Sequence, residues 1–274
     1  LIAESSDPNS RGAAFGLHRF LDTLGAAIGV LLAYFFLLAY HGDYRTVFLY
    51  SLIPALAGVA ILFAVRETGG RTSPQQGNRL TFRWSALDKR LRAFLLVTFV
   101  FALGNSSNQF LLLRAQDRGF QPQTILLLYL AYNLVYALVS YPAGRLSDRV
   151  GRRTLLVTGY LAYGLVYFGF ALAQNQSTIW ALFSLYGIYI GFTEGVEKAL
   201  VADIAPPDQK ATLIGLHATL VGIGLLPASF LAGLLWDIYG AQAPFYFGSA
   251  MGLLAAAGLW WVLRPTRYTS PSRR

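Results

Sequence analysis

GRLSDRVGRR, Gly144 to Arg153, lies between two apolar runs, 123–143 and 154–173, each about long enough to cross a bilayer. Asp148 is its single anion, set among Arg145, Arg149, Arg152 and Arg153, which makes it the natural centre of a charge network. Gly144 and Gly151 predict two tight turns, where a backbone without Cβ can bend and pack closely. A short charged stretch between two greasy ones reads as a loop between membrane helices, and the rest of the chain bears that pattern.

The chain is 55% apolar and only 13% charged, whereas a soluble domain carries about a quarter charged residues. Eight segments are long and apolar enough to span, at about 14–39, 46–65, 92–113, 123–143, 154–173, 177–198, 211–236 and 243–263. Runs such as FLLVTFVFALG do not alternate with period two, so a closed barrel is excluded in favour of an all-α integral membrane protein. Of the 22 lysines and arginines, 19 fall on one side of this alternating topology and Arg45, Arg114 and Arg118 on the other. The positive-inside rule then predicts both ends of the segment in the cytoplasm of a cell that carries the protein in its plasma or inner membrane.

The net charge of +9 sits in links between spans, not on a soluble face, so it indicates no nucleic-acid partner. The absence of cysteine excludes disulfides and thiolate metal sites, and three scattered histidines, His18, His41 and His217, make no metal site. No cofactor is expected. Neither a lysine-bearing P-loop nor a Gly-x-Ser-x-Gly motif occurs, so the sequence predicts no enzyme. The polar 66–91 stretch reads as a connector, and 265–274 as a basic tail.

An internal repeat organises the spans. Residues 1–33 align without gaps on residues 200–232, with 10 of 33 positions identical. Gly16-Leu17-His18 falls on Gly215-Leu216-His217, Gly25 on Gly224, and Arg11 on Lys210. Spans 1 and 2 are thus partners of spans 7 and 8. The reading divides the chain into 1–65, the end of a first six-helix half, the 66–91 linker, and 92–264, a complete second half. It predicts that four further helices precede residue 1. Parallel halves of this kind are one transporter architecture.

With the repeat in place, GRLSDRVGRR resembles the G-x-L-a-D-r-x-G-r-[RK] signature of the major facilitator superfamily, which joins the second and third helices of a six-helix half. The resemblance covers the whole chain as family helices 5–12. It implies a secondary transporter working by alternating access, with an ion gradient, commonly of protons, as the energy source. It also implies a gating role for Gly144, Arg145, Asp148, Arg149, Gly151, Arg152 and Arg153, with Asp148 facing the N-terminal end of span 1. The drug-antiporter G-x-x-x-G-P pattern is incomplete, because Val30 follows Gly25 and Gly29 where proline would stand.

Substrate residues are expected near the bilayer midplane. In span 3, Asn105, Asn108 and Gln109 are spaced i, i+3, i+4 and would share one helix face. Tyr129, Tyr132, Asn133 and Tyr136, with Ser140, make a stripe on span 4. Amides and tyrosines suit a neutral or amphiphilic small molecule, and hydrogen-bonded helix packing is the plainer alternative. Intramembrane charges mark coupling sites, so Arg19, Asp22 and Glu194 are the candidate ion pair and proton carriers. A local Glu194–Lys198 pair near the cytoplasm is the blander account. The partners predicted are a small-molecule substrate, protons and the lipid bilayer, around a monomer. Rival readings are a non-transporting membrane sensor or scaffold and an inactive truncated piece.

Overall fold

The computed structural model of the chain describes residues 2, 6–41, 43–63, 84, 87–206 and 209–263. Most of the 66–91 connector and the 265–274 tail therefore lie outside the described residues. The helices are α1 (Arg11–Ala39), α2 (Tyr44–Leu62), α3 (Lys89–Gly104), α4 (Gln109–Asp117), α5 (Pro122–Val150), α6 (Arg152–Leu172), α7 (Gln176–Ile204), α8 (Lys210–Tyr239) and α9 (Ala243–Val262). No strand occurs among the described residues.

Side-chain caps fix several starts, because the first N–H groups of a helix have no partner of their own. Asp88 accepts from the N–H of Arg90 at 2.8 Å and of Leu91 at 3.3 Å, opening α3. Asn175 accepts from Thr178 N–H at 2.8 Å and opens α7. Asp43 opens α2, and the Thr46 hydroxyl and the Arg45 N–H hold its carboxyl below the usual carboxylate range.

Seven paths among the described residues are long and apolar enough to cross a membrane: α1, α3 with α4, and α5 to α9. The apolar core of α2, Arg45–Ile61, is shorter, so the span predicted at 46–65 is a helix below that length in the described residues. Side chains such as Leu226, 78% exposed, and Phe230, 75% exposed, form an apolar outer surface that suits lipid, not water.

The chain packs as two units, residues 28–87 and residues 1–27 with 88–274. In the first, the rings of Phe36 and Tyr50 stack at 5.1 Å. In the second, α5 packs on α7, α6 on α7 and α9, and α3 on α8 and α9. Its centre is aromatic: Phe101, Tyr160, Tyr163, Tyr167, Tyr186 and Tyr189 are buried and in ring contact.

Three sequence expectations need correction. Gly144–Arg153 is not a loop, since α5 runs on to Val150 and only Gly151, at φ +89°, separates it from α6. Gly144 therefore makes no turn; it is a helical residue against which another backbone lies. An added Cβ there would stand 2.1 Å from the Gly12 carbonyl oxygen, and one on Gly12 would stand 2.4 Å from that of Gly144. Span 3 is not continuous either. It stops at Gly104 and restarts at Gln109, so Asn105, Asn108 and Gln109 do not share a helix face.

Overpacking a close contact costs about 1–3 kcal/mol. Gly144→Ala is accordingly expected to lower the melting temperature of the detergent-solubilised protein by several degrees. Gly25→Ala, whose added Cβ meets nothing within 4 Å, leaves it unchanged. Equal shifts in the two variants would remove the Gly12–Gly144 contact from the forces that hold α1.

Candidate functional site

Close backbone approach at Gly12 and Gly144 brings the start of α1 onto the end of α5. There the Asp148 carboxylate accepts from the N–H groups of Gly12 and Ala13, both at 2.9 Å. An anion is favoured at that position by the free N–H groups and by the helix dipole. Arg152 donates to Asp148 at 2.9 Å, to the Ser147 hydroxyl at 3.0 Å and to Asp203 at 2.5 Å. Arg11 completes the network with a 3.0 Å bond to Asp203, at the end of α7. Of the four motif arginines only Arg152 reaches Asp148. Arg153 lies over the Trp260 ring, while Arg145 and Arg149 are exposed and make no ion pair among the described residues.

About two turns further along α1, Arg19 bridges two carboxylates. It donates to Asp22 at 2.7 Å and pairs with Glu194 of α7. Glu194 also accepts from the Tyr136 hydroxyl and lies 3.7 Å from Lys198. The expected Arg19–Asp22 pair thus meets Glu194, a separate coupling candidate in the sequence, and Tyr136, which sequence spacing had grouped with the substrate stripe, joins them. His18, beside Arg19 in sequence, is exposed and outside the cluster. Glu194 is also deeper than expected. Because α7 continues to Ile204, ten residues beyond it, Glu194 stands about 15 Å from the helix end.

The α3–α4 break gathers polar groups from four other helices. Asn108 accepts from the Tyr186 hydroxyl at 2.7 Å and donates to that of Tyr132 at 3.4 Å. The Tyr163 hydroxyl donates to the freed carbonyl of Gly104 at 3.0 Å, and Ser107 N–H donates to Ser229 at 3.2 Å. Asn105 Oδ1 and the Tyr167 hydroxyl are enclosed without a hydrogen-bond partner. Gln109 is exposed, and the Asn133 amide donates to its own helix at Tyr129, 2.8 Å away. Of the seven residues expected to bind substrate, Asn105, Asn108 and Tyr132 gather at the break, and Tyr129 packs edge-on against Tyr132.

Four contributors, Asp203, Tyr186, Glu197 and Arg114, lie outside the expected site residues. Asp203 and Tyr186 have no local motif, although the alignment of Glu4 on Asp203 and of Arg11 on Lys210 marks positions where both repeats carry charge of one sign. Glu197 accepts from Tyr160 at 2.9 Å and lies 3.4 Å from the buried His217, which stacks on Phe94. Arg114, fully buried, donates to the carbonyls of Phe170, Ala171 and Ala173 and so caps α6.

Known proteins resemble this chain in sequence and in fold. The chain is 36% identical over 269 residues to an uncharacterized MFS-type transporter of Methanocaldococcus jannaschii, covering 95% of this chain and 66% of that one. It is 27% identical over 140 residues to the quinolone resistance protein NorA of Staphylococcus aureus, covering 51% of this chain and 36% of NorA. The solved human organic anion transporter MFSD10 (TETRAN) has the same fold, with a TM-score of 0.76 at 18% identity over 94% of this chain and 66% of its own. The chain thus spans less than two thirds of the length of these relatives. The Major Facilitator Superfamily model matches residues 94–274, and with the charge network on α1 and the helical bundle this shows that the chain belongs to that superfamily.

Proposed function

We propose that the chain is part of a secondary active transporter that moves a neutral or amphiphilic small molecule across the cell membrane by alternating access, driven by protons. The observation that carries the reading is the broken helix. A span that unwinds at Asn105–Asn108 and offers unpartnered polar atoms beside Tyr132, Tyr167 and Tyr186 is costly in a bilayer unless it lines a cavity. Similarity to a quinolone resistance protein over half the chain supports efflux as the direction.

In this reading, residues 1–65 and 92–264 belong to two six-helix halves joined by 66–91, with the basic 265–274 tail and both segment ends in the cytoplasm. Asp148 latches one access state through the N-terminus of α1. Glu194 carries the coupling proton. While ionised, it holds Arg19 and so α1; once protonated, it loses most of that attraction and releases the helix. Asp22 keeps Arg19 oriented toward it.

The test is uptake by the full-length protein in proteoliposomes, across a solute panel, with and without a pH gradient. Glu194→Gln is expected to abolish gradient-driven accumulation and spare solute exchange, and Asp22→Asn to slow transport without impairing membrane insertion. Loss of exchange in Glu194→Gln, or unchanged kinetics in Asp22→Asn, would return these residues to packing. No solute movement under any gradient would leave a membrane sensor instead.

Asn108→Ala removes one donor and one acceptor from the break. It is expected to raise the KM of the transported solute by about tenfold, the worth of roughly 1.4 kcal/mol. A fall in maximal rate at constant KM would assign Asn108 to helix packing.

A further inference from the structure

At the end of the bundle where Asp148 binds α1, a separate cleft of about 730 Å³ opens between α3, α6, α7 and the end of α9. Its walls are Asp88, Arg90, Gly151, Arg152, Arg153, Leu200, Ile204 and Leu263. Two helix N-termini face it and differ in one respect. The α3 terminus has an anion of its own, the Asp88 carboxylate on the N–H groups of Arg90 and Leu91. The α6 terminus has none, since its N-cap is Gly151 and no side chain caps it. Space beside Gly151 is open, with no atom within 4 Å of an added Cβ.

Arg152 is shared between Asp148 and Asp203. Arg153 meets no carboxylate among the described residues. Its guanidinium lies 4.1 Å from the Trp260 ring centre and donates to the Trp260 carbonyl at 2.7 Å, while its Nε is enclosed without a partner. The wall opposite is apolar, from Leu200, Ile204 and Leu263. Trp260 and Trp261 beside it are 52% and 70% exposed, as tryptophans at a membrane–water interface are. The sequence that follows Leu263, RPTRYTSPSRR, holds four arginines and no acidic side chain.

We infer that this cleft binds the phosphate of an anionic phospholipid, with the charged headgroup on Arg153 and the α6 N-terminus and the glycerol and first acyl carbons against Leu200, Ile204 and Leu263. A phosphate dianion shares the charge chemistry, but it would leave the apolar wall and most of the volume to water. The lipid uses both walls, and the tryptophan rim sets the cleft at headgroup depth. Occupancy ties the ends of α3, α6, α7 and α9 together beside the Asp148 network, whose Arg152 forms part of the cleft wall.

Lipid retention by the purified full chain, measured by native mass spectrometry, tests the assignment. Phosphatidylglycerol is expected to be retained about fivefold more than phosphatidylcholine, as one interfacial arginine contact is worth. Arg153→Gln is expected to fall to the phosphatidylcholine level, Arg153→Lys to keep part of the preference, and Lys210→Gln, at the same end outside the cleft, to keep all of it. Millimolar inorganic phosphate should not displace the lipid; if it does so fully, the cleft is a soluble-phosphate site and the lipid assignment fails. Equal retention of the two lipids by the unmodified protein overturns the proposal without recourse to any variant, and so does unchanged preference in Arg153→Gln.

Discussion

Two hydrogen bonds from the start of α1 to Asp148 hold together what the rest of the arrangement uses. A helix that begins within a bundle leaves several N–H groups unpaired, and burying them unpaired costs more than any single contact returns. Asp148 removes two of them at once and places its charge where the dipole favours it. Its position requires that α1 and α5 touch backbone to backbone, so Gly12 and Gly144 are as necessary as the carboxylate. The charge itself is tolerable because Arg152 balances it and is in turn shared with Asp203 and, through Asp203, with Arg11.

α1 is therefore held at two levels by different chemistry. Residues 12 and 13 bind a carboxylate through backbone N–H groups, and Arg19 binds one through its side chain about 10 Å further along. A backbone donor cannot be switched off by protonation of its own helix, whereas the Arg19–Glu194 pair depends on the ionisation of Glu194. In the proposed cycle the first contact is the latch, and the second is the contact that protonation of Glu194 would weaken.

Local features were legible in the sequence, and long-range ones were not. The Arg19–Asp22 pair follows from i, i+3 spacing, and the membrane helices follow from composition and length. That Arg19 also meets Glu194, 175 positions away, depends on how α1 lies against α7, which no local pattern encodes. The stripe on α5 was read correctly as one face, yet it serves two clusters, Tyr132 at the helix break and Tyr136 at Glu194. The break itself was misread as helix, although its composition argues against one. Gly104, Asn105, Ser106, Ser107 and Asn108 are all poor helix formers, and asparagine and serine compete for backbone groups locally. Hydropathy averaged over a whole span hides five such residues.

The repeat shows how identical residues acquire different surroundings. In α8, His217 and Gly224 lie on one face that packs on α3, with His217 stacked on Phe94 and an added Cβ on Gly224 only 2.7 Å from Ala102. Their counterparts in α1, His18 and Gly25, lie on an exposed face, and Gly25 has nothing within 4 Å. Gly16 behaves oppositely: it presses on the Ser140 carbonyl, while its counterpart Gly215 is open. Each helix thus buries the face that the other exposes. The shared Gly-Leu-His thus sits in different surroundings in α1 and α8, and the non-matching residues carry the difference between the two helices. Arg19 and Asp22, replaced in the repeat by Ala218 and Val221, are the charged pair at that divergence, and they stand where α1 meets Glu194 of α7.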